Sequence, residues 1–210
     1  MRRVALAAAL VLAAPAAAQE AMPPEVRAVI ERSRHPATDY TNLQVVRVVD
    51  GDRRFTGIVA EFHRGGQHRT ESNLMRKLID CETDTAAVHN VASGQTGLFQ
   101  LNRGMCGISD DEAVISGRLL PAETGPWGRV DIVELTGPNF VRRYAVTQDG
   151  ILASASYLPR RPDFPHRVET VHTEIRRGSP DAEMFVEASL ARAFAPAPET
   201  LMPGADQPRL

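Results

Sequence analysis

The sequence predicts a mainly β protein: a curved antiparallel sheet or half-open β-barrel with a short helix near each end. Three observations predict it. Between residues 40 and 176, short runs rich in Val, Ile and aromatic residues alternate with turn-forming residues. Helical spacing of apolar residues is confined to the two ends. No segment between the runs is long and helical enough for repeated crossovers, which argues against a parallel α/β sheet.

The elements follow in order. Pro24 suits the first position of a short helix to about Ser33, with Val26, Val29 and Ile30 as its apolar stripe. Arg34-His35-Pro36 ends it. Leu43 to Val49 reads as a strand, followed by the turn Asp50-Gly51-Asp52. Phe55 to His63 is the next, with Ile58, Ala60 and Phe62 sharing a face. Arg64-Gly65-Gly66-Gln67 signals a hairpin, returning through His68 to Asn73. A tight two-residue loop would set Phe62 opposite Arg69, a poor apolar pair, so a longer loop stays open as the alternative. Leu74 to Cys81 and Ala86 to Val91 form another pair, and a short run ends at Leu101. Residues 102–128, broken by glycines and prolines, read as a long connection. Val130 to Leu135 follows, and Phe140 to Thr147 meets Ile151 to Leu158 across Gln148-Asp149-Gly150. Val168 to Arg176 is the last strand, for seven to ten in all. Ser179-Pro180-Asp181 then opens a short helix running towards Phe194.

The ends set the context. Residues 1–18 have the layout of a cleavable signal peptide. Arg2 and Arg3 precede the apolar run Val4 to Leu12, which is too short to span a bilayer, and Pro15 leads to Ala16-Ala17-Ala18. The expected mature chain therefore begins at about Gln19, in the periplasm or outside the cell. It divides into one β-rich domain, 19–194, and a Pro-rich flexible tail, 195–210, with no transmembrane segment after cleavage. Without Arg2 and Arg3, 22 basic residues face 26 acidic ones, a net charge of −4, which argues against nucleic acid as a partner. Cys81 and Cys106 are the only cysteines, and in an oxidising compartment they are expected to pair.

Catalytic signatures are lacking: there is no Gly-x-Ser-x-Gly, no His-Glu-x-x-His and no phosphate-cradling glycine loop. The expectation is a non-enzyme without a cofactor. His63 and His68 flank the hairpin tip and become cross-strand neighbours in the tight register. With Glu61 or Glu71 nearby they are candidates to hold a metal, set against the plainer reading of two solvated tip residues. Ile58, Phe62, Leu74, Leu78, Phe140, Tyr144, Val146 and Tyr157 are candidates to line an apolar cavity, against the plainer reading of a packed core.

One stretch carries a family resemblance. Arg142 to Leu152, the Pro-rich connector, Val168 to Arg176 and Gly178 to Phe185 resemble the C-terminal part of periplasmic lipoprotein carriers of the LolA/LolB type. The earlier strand through Asp80-Cys81, with its turn and return strand, is similar to that group too. The resemblance implies a half-open barrel with a helical lid over a cavity for acyl chains. Three functions are then expected in this order. The first is carriage of a lipid, a lipoprotein acyl chain or another apolar ligand. The second is contact with an envelope protein partner, without a ligand pocket. The third is a metal-assisted enzyme.

Overall fold

The computed structural model describes residues 22–100, 106–109, 113–160 and 166–195. The signal peptide expected over 1–18 lies outside these residues, as does the expected tail beyond Ala195. One helix, α1 (Pro24–Arg34), precedes eleven strands and two closing 3-10 turns. The strands are β1 (Tyr40–Asp50), β2 (Arg53–Arg64), β3 (Gln67–Glu71), β4 (Met75–Asp80), β5 (Thr85–Asn90) and β6 (Thr96–Gln100), then β7 (Ser116–Gly125), β8 (Gly128–Thr136), β9 (Phe140–Thr147), β10 (Leu152–Pro159) and β11 (His166–Arg177). All join one antiparallel sheet in the order β6-β5-β4-β3-β2-β1-β11-β10-β9-β8-β7. Two meanders are thus joined at β1 and β11, and β6 and β7 are the sheet's edges.

The sheet is strongly curved. Lys77 on β4 and Leu152 on β10 stand five strands apart, about 24 Å in a flat sheet. They nevertheless line one cavity of about 110 Å³. Asn42 Nδ2 on β1 also reaches the Leu152 carbonyl at 3.5 Å, past the intervening β11. The face carrying Lys77 and Leu152 is therefore concave, and α1 packs against its second half. Val26, Val29 and Ile30 are buried there against Val133, Leu135, Phe140 and Val146. Gly117 permits the approach, since a Cβ there would lie 2.9 Å from Leu135 and 3.1 Å from Val26. Arg32 pairs with Asp131 at 2.5 Å and ties the helix to β8.

Cys81 and Cys106 form the expected disulfide. It pins residues 106–109 between the end of β4 and the end of α1. Ile108 is fully buried among the α1 apolar residues, and its N–H donates to Ser33 Oγ at 3.0 Å. Gly107 adopts φ +73°, and a Cβ there would sit 2.4 Å from the Ser33 carbonyl, so the close approach requires glycine.

Two sequence expectations are corrected and one open alternative is resolved. Part of the expected connection 102–128 is the edge strand β7, with a register shift between Leu120 and Glu123 around Pro121. Proline is tolerated there because an edge strand leaves one row of N–H groups unpaired. The β2–β3 hairpin takes the tight register: Arg64 pairs with Gln67, His63 with His68 and Phe62 with Arg69, with Gly65 at φ +57°. The C-terminal helix is two 3-10 turns, Ala182–Phe185 and Glu187–Ala191, capped by Asp181, whose side chain accepts from the Glu183 N–H.

Candidate functional site

Cross-strand partners share a face, so the pairing register assigns the concave surface row by row. Tyr40, His63, His68, Ile79, Ala86 and Phe99 form one row across β1 to β6. Asn42, Glu61, Thr70, Lys77, Val88 and Gly97 form the next. Further along β1 and β2 come Gln44 with Val59, Val46 with Gly57 and Val48 with Phe55. The first two rows are polar at β1 to β3. Beyond Gln44 the surface becomes apolar.

The polar end is buried. Tyr40 stacks on His63 with ring centroids 5.3 Å apart, and His63 and His68 stand 5.9 Å apart. These three residues are all under a tenth exposed. Burial first, then the neighbouring His68, holds the His63 imidazole down at about 4, against the opposing pull of Asp39 and Glu61. Burial, then the Glu61 carboxylate, pushes the Tyr40 hydroxyl well above its ordinary range. Glu61 accepts from Asn42 Nδ2 at 3.3 Å and lies 3.9 Å from His68 Nε2. Tyr40, Glu61, His68, Thr70 and Lys77 line the 110 Å³ cavity together with Ile79 and Leu152, and Ser33 and Gly107 close it on the helix side. Lys77 has no anionic partner among the described residues.

The apolar end is open. Val46, Val48, Val59, Tyr157 and Val168 are half-buried, and Phe55 is 38% exposed. A Cβ added at Gly57 would meet nothing within 4 Å. From Phe55 to Val59 the apolar strip runs about 13 Å along β2.

The opposite face is covered differently. Phe185, Met184 and Phe194 pack on Leu43, Ala60, Phe62 and Leu78. The fully buried Arg69 holds them there. Its Nε donates to Glu71 at 2.7 Å, one terminal nitrogen to the Met184 carbonyl and Ser189 Oγ, and the other to the Ser189 and Arg192 carbonyls. All five guanidinium donors are thereby used. The second Glu71 oxygen accepts from the Phe194 and Ala195 N–H groups at 2.9 Å each.

The apolar candidates from the sequence therefore divide between two faces. Phe140 and Val146 are buried under α1, with Tyr144 and Tyr157 at the border of that core. Ile58, Phe62 and Leu78 face the convex side, because they alternate with Val59, His63 and Lys77 on the concave one. Leu74 stands in the β3–β4 turn, 54% exposed. His63 and His68 are cross-strand neighbours but are buried, so they are not solvated tip residues. Glu61 shares their face, whereas Glu71 lies on the other. Among the described residues no group of three or more His, Cys, Asp and Glu side chains converges as a metal site requires. The sequence reading missed Lys77, Tyr40 and Thr70. Alternation from His63 through the tight turn to His68 and Thr70 is the signal that locates them.

A second hollow, about 410 Å³, lies on the convex side near the sheet edge, lined by Leu78, Ala87, Leu98 and Gln100 of β4 to β6 and by Glu187. Leu98 is 73% exposed there.

No protein-family model matches the chain, and no curated protein matches it by sequence. Solved structures do resemble it. A LolA superfamily protein from Nitrosomonas europaea is 9% identical over 79% of this chain and 99% of its own, with a TM-score of 0.46. A conserved protein from Thermus thermophilus is 12% identical over 80% of this chain and 92% of its own, at 0.49. The structure of the Pseudomonas aeruginosa MucA/MucB complex is matched at 9% identity and a TM-score of 0.51, over 77% of this chain and 59% of that one. At these identities the likeness is one of fold, and the LolA-like resemblance read from the sequence holds at that level.

Proposed function

We propose that this protein is a periplasmic carrier or binding protein for an acyl amphiphile, held along the concave face with its chain on the strip Val46, Val48, Phe55, Gly57 and Val59. One observation carries this reading: the strip is apolar, about 13 Å long from Phe55 to Val59, and open at Gly57, where an added Cβ would meet nothing within 4 Å. Hydrocarbon burial contributes about 0.8 kcal/mol per methylene, so eight methylenes on the strip give about 6 kcal/mol. The expected signal peptide and the LolA-like fold support a periplasmic setting. Native mass spectrometry of the protein purified without detergent from the cells that make it tests the reading. The expected spectrum shows the mature chain with a lipid-mass adduct. A spectrum of bare protein alone contradicts it.

A second reading is favoured by the convex edge. The exposed Leu98 and Phe99 on edge strand β6 beside the 410 Å³ hollow suit an extended partner that adds to the sheet. The match to a MucA/MucB complex is consistent with such a role for this fold. Loss of a co-purifying protein on Leu98→Asp, with no lipid adduct on wild type, selects this reading over the first.

A further inference from the structure

The polar end of the concave face has features that chain binding does not need. Tyr40, 4% exposed, lines the cavity. Lys77, the only lysine of the chain, lines the same cavity, and so does the Glu61 carboxylate. Ile79 and Leu152 complete the wall with hydrocarbon. A space of about 110 Å³ holds only a handful of non-hydrogen atoms. A cation and an anion facing so small a space fit a compact group that carries both charges in the opposite sense.

We propose that this cavity binds the zwitterionic head of the amphiphile, its anionic oxygen on Lys77, Tyr40 and Thr70 and its ammonium on Glu61. The ligand class is an ammonium linked closely to a phosphate or carboxylate. The inference rests on the carrier reading for its lipid form, since the polar rows lead into the apolar strip at Gln44. Neither charge alone explains the site. Lys77 by itself fits any anionic head, and the Glu61 carboxylate in the same wall adds a place for an ammonium. The anion is recognised by a point charge and two hydroxyl donors, an arrangement that fits phosphate oxygens without demanding bidentate geometry.

The test compares lysophosphatidylethanolamine with lysophosphatidylglycerol of the same acyl chain, and free phosphoethanolamine, by titration calorimetry on the mature protein. The expected result is at least tenfold tighter binding of the ethanolamine lipid. Glu61→Gln reduces that preference to twofold or less, and Lys77→Met, at a half-exposed position, weakens both lipids with little change in melting temperature. Equal affinity for the two lipids, or a preference that survives Glu61→Gln, overturns the head-group assignment while leaving the carrier reading intact. Binding of phosphoethanolamine with neither lipid bound supports the cavity assignment and overturns the carrier reading. Binding of none of the three overturns both.

Discussion

Replacing Arg69 by Met tests how the convex face is held. The guanidinium is fully buried and spends all five donors on Glu71 and on residues 184–192. Its removal leaves Glu71, 3% exposed, as an uncompensated carboxylate. Breaking a buried pair in this way costs about 3–5 kcal/mol. The loss has a ceiling, because residues 182–195 can lift away and let water reach Glu71. Lifting away forfeits the burial of Phe185 and Leu190, about 2 kcal/mol each. Both routes lead to a similar figure, so Arg69→Met lowers stability by about 4 kcal/mol. Glu71→Leu alone strands the buried guanidinium and costs a comparable amount. The double variant removes both charges; the Phe194 and Ala195 N–H groups lose an acceptor and the Met184, Ser189 and Arg192 carbonyls lose a donor, but no buried charge is stranded. Its cost therefore falls short of the sum of the singles by about 2 kcal/mol or more. Urea unfolding of the four proteins measures this. Trypsin cleavage after Arg192, whose carbonyl Arg69 holds in the wild type, reports whether the segment has detached. Additivity within about 0.5 kcal/mol, with no faster cleavage at Arg192, refutes the reasoning.

Two further predictions concern the concave side. The double variant Cys81→Ser, Cys106→Ser frees a link of sequence separation 25, a loss of about 3.5 kcal/mol of chain-entropy stabilisation; an unchanged urea midpoint contradicts the role given to the 106–109 clasp. The folded His63 imidazole sits at about 4 against an ordinary 6.5, so as pH falls the unfolded chain takes up the proton first. Stability fully present above pH 6.5 is lost progressively towards pH 4, by about 2 kcal/mol once water reaching the cavity is allowed for. His63→Gln lacks that part of the acid slope, and identical slopes in both proteins rule out His63 as its source.

The sequence carried the fold further than the site. Gly65-Gly66 and Asp149-Gly150 announce their hairpins because only certain residues turn a chain so tightly. Strand β7 is hidden because Pro121 and the flanking glycines look like breakers, and only its position at the sheet edge makes them harmless. Ile58 and Phe62 share one face, as strand alternation requires. Which face is inside depends on Arg69, whose pairing with Phe62 looks unfavourable until residues 184–192 supply its acceptors. That contact joins residues more than 110 positions apart, and no local pattern encodes it. The polar rows at Tyr40 and Asn42 run through β1 to β4 in turn, so placing them needs three successive strand registers at once. The histidine pair was legible because one tight turn joins its two members.

The strip itself is tested most directly by filling it. Gly57→Trp puts a large side chain into space that is empty within 4 Å of the Cβ position, on a strand with ordinary negative φ. Binding of lysophosphatidylethanolamine is compared with wild type and with Leu98→Ser on the convex side. If the concave strip holds the chain, Gly57→Trp weakens binding at least tenfold at unchanged melting temperature, and Leu98→Ser leaves it as it was. Wild-type affinity in Gly57→Trp, or its loss in Leu98→Ser alone, contradicts that assignment.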